Sequence, residues 1–465
     1  MWTFWPMRCC IKPVWTAVLA TSTFVAALIV VGGCKPPAQP APDKLTMFLT
    51  ADSRGYLEPC GCRRDQAGGL PGRATLINAV PPANRVVLDA GNLAPGGRPY
   101  EQLKARFLLD GMRKIGYDAV NLGKTEAGLD LNTLQAMLTS TALPYVSANV
   151  LARRDGTAIA PATRLIKRGS LTIGVTGVTD LDSLDCGPGV TVKPPVEALA
   201  GVVGALKKQC DYLVVLAYVN EDTQREIAGH YPEIDCILGG DVPQSSSTVQ
   251  QFNRASAFSV TDRGKVLGQI DLTKHGAAYS IDGAKGIKVM GDQIAKDQAM
   301  LALIGRYKDE LRDRRYELAS AEGMERISGS ASTADEYVGE QSCISCHKNA
   351  HSVYMASQHA HAYATLVKKN SQYDPECLSC HTVGYGLYSG FVDAQRTERL
   401  ENVQCESCHG RGKDHIQAMQ AKAGGGNLVV ASTLRPVTPA TCIKCHDKEN
   451  SENFHYATFW PKIAH

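Results

Sequence analysis

The chain has 465 residues, a length that favours roughly two to four folded units over one ordinary domain. Its 20% charged and 44% hydrophobic residues are typical of globular proteins, and a formal net charge of +3 is too small to predict nucleic-acid binding. Cysteine and histidine are unevenly distributed, because ten of the 12 histidines and eight of the 16 cysteines follow Gly339. The last quarter of the chain is therefore expected to use both residue types in one kind of site.

The N-terminus is typical of an export signal. Basic residues precede an apolar run, Val14–Val31, and small residues then lead to Cys34. We interpret residues 1–33 as a lipoprotein signal peptide and Cys34 as the lipid-bearing first residue of the mature protein. An ordinary signal peptide and an uncleaved anchor are the alternatives. Residues 34–44 then form a Pro-rich tether, and we expect an exported protein anchored to a membrane, facing the periplasm or the cell exterior.

Residues 45–275 alternate short apolar runs with amphipathic stretches, which predicts an α/β layered domain. The chemistry of such a domain lies in the loops at the strand ends. The predicted strands are Thr46–Thr50, Arg85–Asp89, Ala119–Leu122, Leu171–Val178, Tyr212–Ala217 and Cys236–Leu238. The predicted helices are Glu101–Ile115 and Pro195–Lys208.

The loops of this domain resemble the metallophosphoesterase domain of the secreted 5'-nucleotidases. The resemblance covers most of the domain and implies its fold, but most metal ligands of the working enzymes are replaced. Asp52 survives, whereas Arg54 and Lys124 would place positive charge where cations should bind. The matching stretches are Thr50–Gly55, Gly68–Ala74, Asp89–Asn92, Asn121–Glu126 and Ile237–Asp241. The other replacements are Asn92, Thr125, Tyr218, Asp241 and Pro243.

Two-metal phosphoester chemistry needs several fixed oxygen and nitrogen ligands around a pair of ions. Because the resemblance leaves too few of them, we expect neither phosphatase nor nucleotidase activity. The domain is instead interpreted as a docking or sensing module. An active phosphoesterase is the least favoured of the functional alternatives.

Further cysteines lie in the N-terminal half. Cys60 and Cys62 stand in the first of these loops, and Cys186 is expected in another loop at the same edge of the sheet. Three cysteines there are compatible with a disulfide and a spare thiol, a copper or zinc site, or a redox relay. Cys210 and Cys236 stand beside successive strands and are expected to be buried, with a disulfide between them left open.

Residues 276–334 are interpreted as a helical connector and a flexible joint. The stretch Ile294–Leu318 is rich in Lys, Glu, Arg and Leu and predicts a long connecting helix. The stretch Ser328–Thr333 contains small polar residues typical of a flexible linker. A separate domain is therefore expected to begin at about residue 335.

Residues 335–465 contain four Cys-x-x-Cys-His motifs and few apolar residues, and we expect a mainly α-helical, loop-rich segment. Two thiols on one turn form thioethers with the vinyl groups of a haem, and the adjacent imidazole reaches the iron. Zinc also binds Cys-x-x-Cys pairs, but it does not require a histidine after each one, so four c-type haems are the favoured interpretation. The attachment residues are Cys343, Cys346, Cys377, Cys380, Cys405, Cys408, Cys442 and Cys445, and the proximal ligands are His347, His381, His409 and His446.

Stretches throughout this segment resemble the tetrahaem cytochrome c family typified by the electron carrier of ammonia-oxidising bacteria. In that family several irons carry two histidines and one iron is commonly five-coordinate. The resemblance implies His359, His415 and His465 as distal ligands. The matching stretches are Tyr337–Gly339, Ser357–Ala360, Cys377–Gly384, Cys405–Gly410 and Trp460–His465. The histidines interpreted as exposed or outer-shell residues are His351, His361 and His455.

Iron bound by two imidazoles is expected to have a low reduction potential, because methionine ligation is what raises it. We therefore expect electron transfer with redox partner proteins, such as other cytochromes or a quinol-linked complex. An iron without a distal ligand suggests an alternative, in which the protein reduces a small nitrogen or sulfur oxide at a five-coordinate haem.

Overall fold

The structure is a computed structural model. Within its described parts, residues 40–465 group as one compact unit. The predicted signal peptide, Cys34, Cys60, Cys62 and the flexible joint lie outside the described residues. The structure describes residues 40–59, 66–94, 96–181, 185–276, 278–291, 293–321, 336–425, 434–448, 450–451 and 453–465, with the backbone alone for residues 316–321.

The strands belong to the N-terminal part of the chain. They are β1 (Lys44–Thr50), β2 (Arg85–Asp89), β3 (Ala119–Asn121), β4 (Tyr145–Val146), β5 (Val150–Ala152), β6 (Thr163–Arg168), β7 (Leu171–Thr179), β8 (Val190–Val192), β9 (Tyr212–Tyr218), β10 (Cys236–Gly239), β11 (Gln250–Phe252), β12 (Ala255–Ser259), β13 (Val266–His275) and β14 (Ala278–Lys288).

Helices alternate with the strands in the first part of the chain and are the main elements of the second part. Those of the first part are α1 (Leu70–Asn78), α2 (Pro99–Ile115), α3 (Lys124–Ala127), α4 (Leu131–Thr141), α5 (Pro195–Leu199), α6 (Val203–Lys207), α7 (Glu221–His230) and α8 (Gln298–Ala321). Those of the second are α9 (Lys348–Met355), α10 (Ala362–Lys368), α11 (Pro375–His381), α12 (Ala394–Thr397), α13 (Cys405–His409), α14 (Lys413–Ala423), α15 (Pro439–Cys442) and α16 (Tyr456–Phe459). Single 3₁₀ turns span Pro82–Asn84, Glu340–Ser342, Gln358–His361, Glu398–Leu400 and Trp460–Lys462.

Two mixed sheets form the centre of the N-terminal domain. The first has the strand order β14-β13-β1-β2-β3-β4, in which β1 to β4 run parallel and β13 and β14 form an antiparallel edge. The second has the order β11-β12-β10-β9-β7-β6, with a parallel centre and antiparallel β11 and β6 at its edges. The carboxyl ends of parallel strands meet at one edge of each sheet, and loops there can share a site.

Apolar side chains on both faces of each sheet explain the four layers of this domain. Leu88 of β2 and Leu216 of β9 belong to one core between the sheets. The outer face of the first sheet packs against α1, α2, α4 and α8, with Leu303 in that core. Helices α5 to α7 cover the outer face of the second sheet. The predicted α/β layered fold is confirmed.

The layered domain extends past the predicted boundary at residue 275. Strand β14 pairs with β13 along its length, and α8 packs against α1 and α2 with Ile304 and Leu311 buried. The predicted connecting helix is thus part of the domain core, because its apolar positions pack against α2. The predicted helix over residues 195–208 is also interrupted, since residues 200–202 separate α5 from α6.

The C-terminal segment has short helices and a small apolar core of its own. That core contains Tyr337, Tyr363, Leu366, Leu378, Val383, Phe391 and Leu400. Among the described residues of this segment, an isolated β-bridge joins Thr382 and Glu401. Its mainly helical character agrees with the prediction. Within the described ranges, no helix of the chain is both long and apolar enough to cross a membrane.

Candidate haem sites and the remnant phosphoesterase site

Each Cys-x-x-Cys-His motif adopts a helical turn. The second and third motifs lie in α11 and α13. In the first, the His347 N–H donates to the Cys343 carbonyl at 3.0 Å, and in the fourth the His446 N–H donates to the Cys442 carbonyl at 2.9 Å. Residues three apart on a helical turn face the same side, so both thiols of a motif are presented together.

Three histidine pairs bring together residues that are far apart in the chain. The imidazole centres of His347 and His415 are 6.2 Å apart, and those of His359 and His446 are 6.1 Å apart. A third pair, His409 and His465, is separated by 5.9 Å. Each pair joins a motif histidine to one of the three histidines that the family resemblance implied as distal ligands.

The spacing of these pairs fits two imidazoles on opposite sides of one metal ion. An imidazole nitrogen binds a first-row metal at about 2 Å, so two ring centres across one ion are about 6 Å apart. Burial lowers the pKa of His359, His409 and His446. These rings are therefore held in the neutral form that a metal ligand requires.

The motif histidine of α11 differs from the other three. The His381 Nδ1 lies 2.7 Å from the Ala362 carbonyl oxygen and 3.4 Å from the Thr365 hydroxyl. Because a carbonyl only accepts, Nδ1 carries the proton and Nε2 is left to bind a metal. Among the described residues, no histidine ring is paired with His381 in the way that the other three motif histidines are paired.

Neighbouring side chains orient the other imidazoles. His446 stacks on Phe454 with ring centres 4.4 Å apart, and its Nδ1 lies 3.1 Å from the Ser451 hydroxyl. The His465 Nδ1 lies 2.9 Å from the Ile463 carbonyl oxygen. Such contacts fix the tautomer and orientation of a ligand. Of the remaining histidines, His361 and His455 are exposed and His351 is half-buried.

The four motifs form two adjacent pairs. The Cys343 thiol lies beside Cys405, and the Cys380 thiol lies beside Cys445. The first motif therefore neighbours the third, and the second neighbours the fourth. A cavity of about 2030 Å³ connects the second, third and fourth motifs, which is about twice the usual upper volume of a small-molecule pocket.

Apolar side chains around the motifs also fit a large apolar group. Among the described residues, large hydrophobic side chains that are exposed are concentrated in the C-terminal segment. The N-terminal domain contributes Leu165. A haem attached at the neighbouring cysteines would offer these side chains an apolar surface. Those in the C-terminal segment are Met355, Val367, Leu387, Met419, Ile443 and Phe459.

A buried carboxylate in the third motif is a feature that sequence reasoning missed. The Glu406 carboxylate, in a residue that is 4% exposed, accepts hydrogen bonds from the N–H groups of Val338, Gly339 and Gly412 at 2.8 to 3.0 Å. It therefore holds the start of the segment against α13. The sequence gives little indication of this role, because a glutamate between the two cysteines of a motif can equally be exposed to solvent.

The remnant phosphoesterase site lies at the ends of β1, β2, β9 and β10. One oxygen of Asp52 accepts hydrogen bonds from Asn92 Nδ2 at 2.5 Å, Arg54 Nε at 2.7 Å and the Tyr218 hydroxyl at 3.0 Å. Lys124 Nζ lies 2.7 Å from the Asp241 carboxylate. The residues that replace metal ligands thus form hydrogen bonds and ion pairs with one another.

The backbone of this site retains an uncommon conformation. Asp52, Arg54, Asn92 and Asp241 have positive φ angles of 55°, 39°, 69° and 49°. Such angles are uncommon for residues other than glycine and often mark functional loops. No group of three or more Cys, His, Asp or Glu residues that could hold a metal ion occurs among the residues described.

The N-terminal cysteines are only partly described. Cys186 is a half-buried free thiol, and its expected neighbours Cys60 and Cys62 lie outside the described residues. Cys210 and Cys236 are free thiols, so the disulfide left open above is not formed. Burial raises the pKa of Cys236 to about 12, which keeps this thiol protonated and unreactive.

Comparison with known proteins defines the class of both parts. The chain joins an α/β domain with a metallophosphoesterase-like fold to a C-terminal segment related to the c-type cytochromes, which indicates covalently bound haem and electron transfer. Residues 342–410 match the family described as cytochrome c554 and c-prime. The predicted fusion of these two families is confirmed.

Individual relatives support each part. The chain is 32% identical over 114 residues to cytochrome c-554 of Nitrosomonas europaea, a match that covers 20% of this chain and 48% of that protein. It is 23% identical over 359 residues to a 5'-nucleotidase of Vibrio parahaemolyticus, and the match covers 63% of each protein. The chain therefore spans about half the length of the cytochrome and about three fifths of the nucleotidase.

Solved structures with the same fold cover the N-terminal domain. The sulfate thiohydrolase SoxB of Thermus thermophilus has a TM-score of 0.51 at 15% identity, covering 59% of this chain and 62% of its own. A 5'-nucleotidase precursor from the same species has a TM-score of 0.50 at 22% identity, covering 58% of this chain and 59% of its own. At these identities the similarity establishes the fold alone.

Proposed function

We propose that the protein is an exported electron-transfer protein that carries four c-type haems in residues 335–465. The observation that carries this proposal is the set of three histidine pairs, each joining a motif histidine to a distant one at a ring separation near 6 Å. Its partners would be redox proteins such as other cytochromes or a quinol-linked complex.

The proposal gives each motif one haem. Attachment would use the two cysteines of each motif, and the second haem would have His381 as its axial histidine. The haems of the first, third and fourth motifs would each have two. The histidines that would hold these three haems are His347 with His415, His409 with His465, and His446 with His359.

A bound haem would supply the one-electron couple, and the side chains of this chain would set its surroundings. The paired neutral imidazoles would bind the iron in both oxidation states, so electron transfer would require little structural change. The Ala362 carbonyl and the Ser451 hydroxyl orient His381 and His446 through their Nδ1 atoms. The adjacency of first to third and of second to fourth motif favours electron transfer between neighbours.

The mature protein, produced with c-type haem maturation machinery, provides the test. We expect four haems per chain by pyridine haemochrome spectroscopy and intact mass, and three low-spin and one high-spin ferric signal at low temperature. Replacing His359, His415 or His465 by alanine should each convert one low-spin haem to high spin. The matched control is His361→Ala, because His361 is exposed. Bound zinc without haem would contradict the proposal.

A small-molecule reductase is the second candidate. It is favoured by the position of His381. Among the described residues, no histidine ring lies opposite His381 as one does at each of the other three motifs. A haem there would have one position open to a nitrogen or sulfur oxide. Steady-state reduction of nitric oxide or sulfite by the reduced protein would support this function, and binding without turnover would leave electron transfer as the role.

We further propose that the α/β domain does not hydrolyse phosphoesters. Asp52 is already bonded to Arg54, Asn92 and Tyr218, and cationic side chains stand at positions where metal ions would bind. The test is hydrolysis of a nucleotide and a phosphodiester with added Mn²⁺ or Mg²⁺. Turnover that requires the metal would contradict the proposal.

A lipid anchor at Cys34 remains part of the proposal, because small residues precede this cysteine after an apolar run. Mass analysis of the mature N-terminus, with Cys34→Ser as control, tests it. A third site, formed by Cys60, Cys62 and Cys186, remains a prediction that titration of the free thiols would test.

A further inference from the structure

The α/β domain contacts the C-terminal segment just before the second haem motif. We call residues 369–376 the docking segment. Helices α2 and α8 contact it through Lys104, Tyr307 and Lys308. The docking segment leads directly into Cys377, so these contacts lie beside one particular haem motif.

Lys104 of α2 makes the shortest of these contacts. Its Nζ lies 2.5 Å from Glu376 Oε2, and its side chain is only 10% exposed. A lysine is rarely buried this deeply unless it is paired. Burial acts to lower the pKa of Lys104, but the carboxylates of Asp374 and Glu376 outweigh it and raise that pKa. A positive charge is thus held inside the interface.

Asp374 connects this charge to the helix that carries the motif. One oxygen of Asp374 caps the start of α11 by accepting from the Glu376 N–H at 3.0 Å. Its other oxygen lies 3.5 Å from the Tyr307 hydroxyl of α8. Burial raises the pKa of Asp374, and the positive charge of Lys104 opposes that shift. The Lys104 charge therefore acts on the first turn of α11.

Apolar and backbone contacts hold the same segment. Tyr373 packs against the core that α2 and α8 share with the first sheet, and the Arg315 guanidinium lies 5.5 Å from the centre of its ring. Lys308 Nζ lies 3.0 Å from the Lys369 carbonyl oxygen and 2.5 Å from Glu58. The docking segment is thus fixed at both of its ends.

We propose that Lys104 is a positioning residue for the second haem motif, through which the α/β domain holds α11 and sets the reduction potential of the haem bound by His381. The inference rests on the proposed function, because it requires a haem at Cys377 and Cys380. A cation close to an iron in a poorly solvated interface favours the ferrous state, which carries less positive charge. The α/β domain would then be an electrostatic regulator of this one haem.

The test is a potentiometric titration of the four-haem protein, followed by the high-spin ferric signal in electron paramagnetic resonance. We expect Lys104→Gln to lower the midpoint potential of that haem and Glu376→Gln to raise it. The double variant should return towards the wild-type value, and Lys104→Arg should stay near it because the charge is kept. The three low-spin haems should keep their potentials.

Lys114→Gln is the matched control, since Lys114 lies on the same helix, is 39% exposed and faces Asp110 at 3.9 Å. Glu376 is 46% exposed, so Glu376→Gln keeps the test open if Lys104→Gln fails to fold. Unchanged potentials, or shifts of the same sign in both single variants, would overturn the proposal. A wild-type protein without a high-spin haem would instead overturn the assignment of His381, and with it this inference.

Discussion

The two parts of the molecule reach a folded state by different means. In the α/β domain, three apolar cores fill the spaces between and outside the two sheets, and strands such as β2 and β9 are buried along their whole length. In its described ranges, the C-terminal segment has one small core around Tyr363, Leu378 and Phe391. We therefore expect the first part to fold with its own side chains and the second to depend on what its cysteines and histidines bind.

Exposed apolar residues point in the same direction. Met355, Ile443 and Phe459 of the C-terminal segment are 40 to 56% exposed, although side chains of this size are usually buried in a folded domain. A haem can supply the surface that the chain lacks. Such a segment needs few apolar residues, which is why its composition does not predict a conventional core.

The largest expected effect is the selective unfolding of the C-terminal segment without haem. Protein made without haem maturation should lose hydrogen-exchange protection over residues 336–465, because one small core does not offset the conformational entropy of the segment. Residues 40–321 should retain their protection. The measurement is hydrogen exchange with mass spectrometry on matched haem-loaded and haem-free samples.

Haem-loaded protein in the same buffer provides the control. Equal protection of both parts in the haem-free protein would contradict the distinction between them. Loss of protection in both parts would show instead that the docking segment stabilises the α/β domain.

Elements of the α/β domain were predictable where the apolar run is short and bounded by polar residues. The predicted strand Arg85–Asp89 coincides with β2. The sequence did not predict that β14 continues the first sheet, because its alternating small, polar and apolar residues are mostly exposed at an edge. Nor did it predict that α8 packs into the domain core, since a helical pattern does not identify what covers its apolar side.

The candidate site shows the same limit. Motif spacing is enough to predict attachment cysteines and proximal histidines, because that chemistry is local. The pairing of His347 with His415 depends on the folded chain, and only the resemblance to a known family suggested it. Lys104 and Glu376 are separated by 272 positions, and no local pattern links them.

The next largest effect is expected from Leu303→Ala. Leu303 is fully buried in the core that α8 shares with α1 and α2, and truncating a buried leucine costs about 2 to 5 kcal/mol. Urea unfolding followed by hydrogen exchange at peptides of β2 and α8 should show the loss. The haem spectrum should not change, because the α/β core contains no haem motif.

Arg312→Ala is the control on the same helix, since Arg312 is 42% exposed and its surface ion pairs contribute little to stability. Equal effects of the two substitutions would show that α8 acts as a connector and not as part of the core.

The smallest predicted effect concerns a buried charge of the α/β domain. Asp89 is fully buried at the end of β2, where burial raises its pKa to about 7, and hydrogen bonds from Thr50 and the Gly91 N–H limit the rise. In the unfolded chain this carboxyl would have a pKa near 4. Between about pH 4 and 7 the folded state thus binds more protons, so the free energy of unfolding falls as pH rises.

Asp89→Asn measures that contribution. The difference in free energy of unfolding between wild type and variant should change across about pH 4 to 7 by less than about 4 kcal/mol, the limit set by the pKa difference. The positive charge of Arg73 also limits the rise in the pKa of Asp89. A difference that stays constant over this pH range would show that Asp89 is ionised in the folded domain and that Arg73 balances its charge. Any dependence of the stability of the α/β domain on pH in this range would then arise from other groups.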